Sequence, residues 1–289
     1  MSKRSRGAAN APKKAKVRDV FVALPFAGLA DEPEWIALRE LVPAATAPLR
    51  LNAQLTEKYG ERDITLATIL PMAWPSMVKA DGRILLGLQR HVQSGDPNRD
   101  LAVALLSALE TSPGQSVAVP ALPGQGERLA DLLEDGPLEI TMHESFSFWL
   151  DEGQADDPSV AASLDSANAA IAPTAKLTSA KAAYWTRMGE KSHVRWVLPE
   201  SENEALDALA TLSSAGELTL GEGTRFAGMF RAHGRLVPVW DLPADTEPEA
   251  WEEPLAQFAT RFEAARGAEL TPAARKAKQG LIGRQLTLR

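Results

Sequence analysis

Four histidines and no cysteine bound the side-chain chemistry open to this chain. Without a thiol there is no cysteine nucleophile, no disulfide and no sulfur ligand for a metal. His91, His143, His193 and His233 are too scattered for a His-Glu-x-x-His helix face, so a metal site would have to be gathered by folding. His143-Glu144-Ser145 comes closest to a hydrolytic relay. On a strand, however, His143 and Ser145 share one face and Glu144 takes the other, which is not a relay geometry. Arg231, His233 and Arg235 crowd around Gly234, where two guanidiniums beside an imidazole could hold an anion. The alternative is a solvated turn, because His accepts left-handed backbone angles and arginines at a hairpin tip are commonly free in water. Gly-Lys occurs nowhere, which removes the phosphate-binding loop, and Gly221-Glu222-Gly223 with Gly228 lacks the dinucleotide spacing. These patterns assign no catalytic residue, no metal ligand and no cofactor.

The charges are more informative than the nucleophiles. The net charge of -7 hides two basic ends: Lys3, Arg4, Arg6, Lys13, Lys14, Lys16 and Arg18 before the fold, and Arg275, Lys276, Lys278, Arg284 and Arg289 after Glu269, with no acid in either. All 38 acidic residues therefore lie between them. Such a body repels nucleic acid, whereas a basic arm gains affinity for phosphate by releasing counterions. The ends are accordingly expected to engage a ribosome or another nucleic acid, or else to serve solubility alone. Seven tryptophans beside two tyrosines are read first as core. Only Trp185-Thr186-Arg187 and Arg195-Trp196 interleave with cations as a base-stacking platform would.

The elements that must position these residues follow from periodicity. Residues 1–18 read as a disordered basic arm, being charged and without apolar spacing. The apolar stretch Val20–Ala30 is broken by Pro25 and abutted by Asp19, which argues against an export signal, and no run is long enough to span a membrane. With no cysteine, the expectation is a cytoplasmic protein.

An N-terminal α+β half is expected over 19–150. It holds a helix over Pro33–Val42, a buried strand over Ile64–Leu70, a hairpin over Met77–Leu88 and a helix over Arg99–Glu110. An edge strand at Val117–Leu122, a short helix over Glu127–Leu133 and a strand over Leu138–Trp149 complete it. Residues 151–158 (DEGQADDP) read as an acidic linker. A C-terminal α+β half over 159–267 follows. It begins with a helix at Ser159–Ile171, strands at Ala183–Met188 and Val194–Leu198, and a helix at Glu202–Ser214. A second hairpin around His233-Gly234 and an amphipathic helix marked by Trp251, Leu255, Phe258 and Phe262 come next. Residues 268–289 read as a basic C-terminal tail. The fold class is α+β, with mixed, largely antiparallel sheets and flanking helices. MVKADGRILL at 77–86 and MFRAHGRLVP at 229–238 raise a duplicated ββα unit, with chance similarity as the alternative.

Several phrases carry a resemblance: LVPAATA at 41–47, ILPMAWP at 69–75, SGDPNRDLA at 94–102, RWVLP at 195–199, GEGTRFAGMFRAHGRLVPVWDLP at 221–243 and the closing GLIGRQLTLR. Together they resemble an actinobacterial family of unknown function, across nearly the whole chain beyond the arm. Some of its members bear preprotein-translocase names, which the missing phosphate-binding loop argues against as a motor activity. The resemblance implies no activity or cofactor. The sequence reading is thus a non-enzymatic binding or accessory protein whose basic ends meet an anionic partner. A hydrolase or transferase assembled only on folding, and a protein-binding adaptor in translation or export, are the alternatives.

Overall fold

The computed structural model describes residues 18–283, which form an α+β fold with two five-stranded sheets. Sheet one takes β1 (Ala45–Leu49), β2 (Ile64–Ile69), β3 (Ser76–Val78), β4 (Ile84–Gln89) and β5 (Thr141–Met142) in the order β3-β4-β2-β1-β5. Its β2 and β4 run parallel and its other pairs antiparallel. Both parallel strands are apolar on two faces, as strands covered from both sides must be. Sheet two is wholly antiparallel. Its strands β6 (Thr174–Leu177), β7 (Ala183–Met188), β8 (Lys191–Trp196), β9 (Arg225–Ala232) and β10 (Arg235–Leu242) take the order β6-β7-β8-β10-β9.

Seven α-helices flank the sheets: α1 (Glu32–Glu40), α2 (Ala53–Tyr59), α3 (Pro97–Leu109), α4 (Pro158–Asn168), α5 (Glu202–Ala215), α6 (Glu252–Ala265) and α7 (Pro272–Ile282). Their ends carry local signals. Ser201 and Glu204 form a reciprocal capping box on α5, and Gly216 closes that helix in the left-handed conformation. Asp96 caps α3 with Pro97 in the first turn.

The SGDPNRDLA phrase is a structural staple. Arg128 grips Asp96 and the Pro25 carbonyl, Arg90 pairs with buried Asp100, and the Arg99 guanidinium holds the carbonyls of Gly124, Gln125 and Glu127.

Sheet two is covered on both faces. One face lays Tyr184, Val197, Phe230, Val237 and Val239 into the same core as α1, α3 and sheet one. The other lays Trp185, Trp196, Met229, Leu236 and Trp240 against α5, α6 and Leu281 of α7. The first core therefore runs through both halves; of residues 151–158, those before Pro158 pass between them as a turn ending in Asp157, the cap of α4, and Pro158 begins the helix.

Several sequence expectations are corrected. The strand over Leu138–Trp149 shrinks to β5, after which Phe146, Phe148 and Trp149 turn together into an aromatic cluster. Val117–Leu122 forms no strand, the bridge from Met77 stopping at Ser116 before it, because Pro120 and Pro123 remove ladder donors. The unexpected β1 tolerates Pro48 because β5 pairs only with Ala45 and Thr46, so no ladder donor is required further along. Within the expected tail at 268–289, residues 272–282 form α7, capped by Thr271 and with Ala274 and Leu281 buried.

Candidate functional site

The carboxylates of α1 set the relation between the two halves. Glu34, 2% exposed, accepts hydrogen bonds from the Ala182 amide (3.1 Å) and the Tyr184 hydroxyl (2.7 Å), and pairs with Lys176 at 2.8 Å. Burial and the adjacent Glu34 charge push the Tyr184 hydroxyl far above the ordinary phenol range, so it stays a donor. Asp31 pairs with Lys181.

The same helix answers the cationic hairpin. The Arg235 guanidinium donates to both oxygens of Glu32 at 2.9 and 2.8 Å, and His233 meets Glu40 at 2.8 Å. Burial opposes ionisation of Glu40, but the His233 hydrogen bond and the charges of His233 and Arg39 outweigh it and hold the carboxyl below its ordinary range. Arg231 turns instead to Glu202 within its own half. The three residues at the hairpin tip thus carry carboxylates of the chain itself rather than sharing one anion.

A cleft of about 380 Å³ opens where the ends of the two sheets meet. Pro43, Ala44, Met142, His143 and Glu144 form one bank, with β5 at its centre. Thr174, Ala175, Trp185 and Arg187 form the other, with Pro248 and Glu247 above them. Asn168, Ile171, Ala172 and Pro173, at the end of α4 and in its connection to β6, complete the lining.

His143 sits with its Nε2 2.8 Å from the Thr46 hydroxyl and its ring against Phe148. Burial lowers its pKa, so it is neutral near pH 7. Ser145 bonds to Ser147, so His143-Glu144-Ser145 makes no relay. Arg187 lies over the Trp185 ring at 5.1 Å and pairs with Glu247 at 3.1 Å. The Trp185 indole N–H is buried and has no hydrogen-bond partner among the described residues. Glu144 makes no ion pair among them.

A polar row that sequence reasoning missed crosses sheet two from this cleft. Thr174, Thr186, His193, Asp241 and Arg225 stand opposite one another on successive strands. Asp241 takes His193 Nδ1 at 3.1 Å on one oxygen and Arg225 on the other, while the Thr186 hydroxyl reaches Thr174 at 3.2 Å. Burial lowers the His193 pKa, its other influences being weaker. The signal in the sequence was alternation: His193 and Asp241 are polar positions bordering apolar strand runs.

The tryptophans of the two pairs that interleave with cations lie in the core, as their first reading has it. Trp185 and Trp196 are buried, the latter edge-on to Phe258 and Phe262. Gly221-Glu222-Gly223 is a turn closed by the Thr224 hydroxyl. Of the basic ends, Arg18, Arg275 and Lys276 are exposed, and Lys278 is held by Asp207 at 2.5 Å. Lys3, Arg4, Arg6, Lys13, Lys14, Lys16, Arg284 and Arg289 lie outside the described residues. Among the described residues no group of three His, Asp or Glu side chains is placed to hold a metal, and no helix is long and apolar enough to cross a membrane.

No curated protein and no solved structure matches the chain. Residues 25–289 match the family of unknown function DUF5926, and the chain belongs to that family.

Proposed function

We propose that this chain is a non-enzymatic binding protein whose ligand occupies the cleft between β5 and β6. The observation that carries the reading is the cleft itself: about 380 Å³ of mostly apolar lining with a few polar groups converging on it, the usual make-up of a ligand site. Binding is favoured over catalysis because the imidazole, hydroxyl and guanidinium at hand are already engaged within the chain, which leaves Glu144 a lone carboxylate with no relay partner. His143 is held by Thr46, Ser145 by Ser147 and Arg187 by Glu247.

Ala172→Trp, at a half-buried position in the lining, tests the reading by filling the space. Native mass spectrometry of protein taken from its own cells should find a bound mass on the wild type and none on a folded Ala172→Trp variant. The same mass on both would place the ligand elsewhere.

A second reading, engagement of ribosomal or other nucleic acid by the basic ends, draws support from Arg275 and Lys276, which stand exposed on α7 beyond the last acid of the chain. It loses Lys278 to Asp207. Retention of the full chain on a polyanion resin should fall in Arg275→Ala/Lys276→Ala and in a chain lacking residues 1–17, and vanish in high salt. Equal elution of all three proteins would remove this reading.

A further inference from the structure

We infer that the occupant of the cleft is an extended peptide segment bearing a Lys or Arg, which adds a strand to the outer edge of β6. This rests on the cleft reading and goes further by naming the ligand class. The register of β6 supplies the first argument. The Arg187 amide donates to the Pro173 carbonyl at 2.9 Å, which fixes residues 173, 175 and 177 as those bonded to β7. The N–H and C=O groups of Thr174 and Lys176 therefore point away from β7, and no backbone hydrogen bond reaches them among the described residues.

The opposite bank has the same property. The His143 amide donates to the Ala44 carbonyl at 2.9 Å, so Met142, opposite Ala45, turns its backbone groups away from β1. Two open edges thus border one cleft. A small molecule could meet one or two of these groups; a peptide backbone offers donors and acceptors at the repeat the edge presents.

The usual guards of an edge strand are weak here. A lysine in an edge strand ordinarily discourages pairing, but the Lys176 ammonium is drawn to buried Glu34, which fixes it in place. Pro173 lacks a donor, but its carbonyl belongs to the β7 side of the ladder. Ala172, Thr174 and Ala175 are small, which leaves room for the alternate side chains of an incoming strand.

Charge selects the peptide. Arg187 is matched by Glu247 and His143 is neutral, so the charge left over in the cleft is Glu144. A cationic side chain on the incoming strand would complement it.

Thr174→Pro separates strand addition from simple occupancy. The Thr174 N–H points outward, so proline removes the donor and blocks pairing while leaving the β6–β7 ladder intact. A random heptapeptide library displayed on phage is selected on wild type, Thr174→Pro and Ala172→Trp, each verified as folded by its melting transition. Wild type should enrich peptides of alternating apolar residues with a Lys or Arg. Their affinity should drop at least about tenfold on Thr174→Pro, and Glu144→Gln should weaken those peptides more than versions with the cation replaced by Gln.

Equal binding to Thr174→Pro, with loss on Ala172→Trp, would overturn strand addition while leaving the cleft reading standing. Enrichment on wild type that matches enrichment on Ala172→Trp, or none on either, would overturn both. Should Thr174→Pro not fold, the amide exchange of Thr174 and Lys176 in wild type with the selected peptide decides. Slowing supports the proposal, and unchanged exchange during binding overturns it.

Discussion

The hairpin of β3 and β4 and the hairpin of β9 and β10 begin from nearly the same words, MVKADGRILL and MFRAHGRLVP, yet do different work. Each hairpin lies at the end of its sheet, and the strand orders correspond when one is reversed: β3-β4-β2-β1-β5 against β9-β10-β8-β7-β6. The inner strand of the first hairpin runs parallel to its neighbour β2, while that of the second runs antiparallel to β8. The connections explain this. Residues 70–75 carry the chain directly from β2 into β3, whereas α5 intervenes between β8 and β9 and the second hairpin enters from the other end.

The matched charges diverge in the same way. In the first turn Asp81 and Arg83 pair with each other in solvent, and Arg83 also lies 3.6 Å from Asp151. In the second, His233 and Arg235 at the same positions reach across to Glu40 and Glu32 of α1 and join the two halves. Lys79 is buried against Asp151 at 3.0 Å, whereas its counterpart Arg231 is exposed with Glu202. Local sequence decides that a hairpin forms; what packs over its tip decides what its charges do.

The two turn glycines give the sharpest contrast. Gly82 and Gly234 both adopt left-handed angles, with φ of 90° and 82°. A Cβ on Gly82 meets nothing within 4 Å, while one on Gly234 would lie 2.5 Å from the Ala23 carbonyl oxygen and from a Leu24 methyl. Gly234→Ala should cost about 3 kcal/mol, the conformational penalty plus the clash, and Gly82→Ala only about 1 kcal/mol. Equal losses in urea unfolding would show that the second tip is not held against the N-terminal segment.

A smaller separation is expected from the arginines. Arg235→Ala, which strands a mostly buried Glu32, should lose about 1–2 kcal/mol, against no more than about 0.5 kcal/mol for the solvated Arg83→Ala. Similar values for both would deny the ion pairs their role in joining the halves.

The smallest effect concerns acid. The Glu40 carboxyl is held below its ordinary value of 4.5, so its contribution is complete above that pH and is lost as pH falls from there through the folded-state value. Glu40→Gln should therefore flatten the acid limb of the stability–pH profile below about pH 4.5. An acid limb identical to wild type would remove Glu40 from the account.

What the sequence disclosed divides along physical lines. Both hairpins and α6 were legible because turn glycines and the spacing of Leu255, Phe258 and Phe262 are local signals. α7 was obscured by its charges, although Ala274, Ala277 and Leu281 carry a helical repeat. β1 was hidden by Pro48, whose tolerance depends on how far β5 reaches.

The cleft was not legible, since its banks lie on different sheets and meet only through packing. Alternation denies His143-Glu144-Ser145 a relay geometry, and the fold pairs His143 with Thr46 and Ser145 with Ser147. Trp185 reads first as core and is buried, and Arg187 lies over its ring. Arg231, His233 and Arg235 are neighbours in sequence, whereas folding sends them to three different carboxylates.

The most direct test of the binding cleft is amide hydrogen exchange at Met142 and Thr174, one on each bank, with and without a selected peptide. Thr174, on the β6 edge that the peptide pairs with, should slow most when peptide is bound. Slowing at neither, under conditions where binding is independently observed, would place the site elsewhere on the molecule.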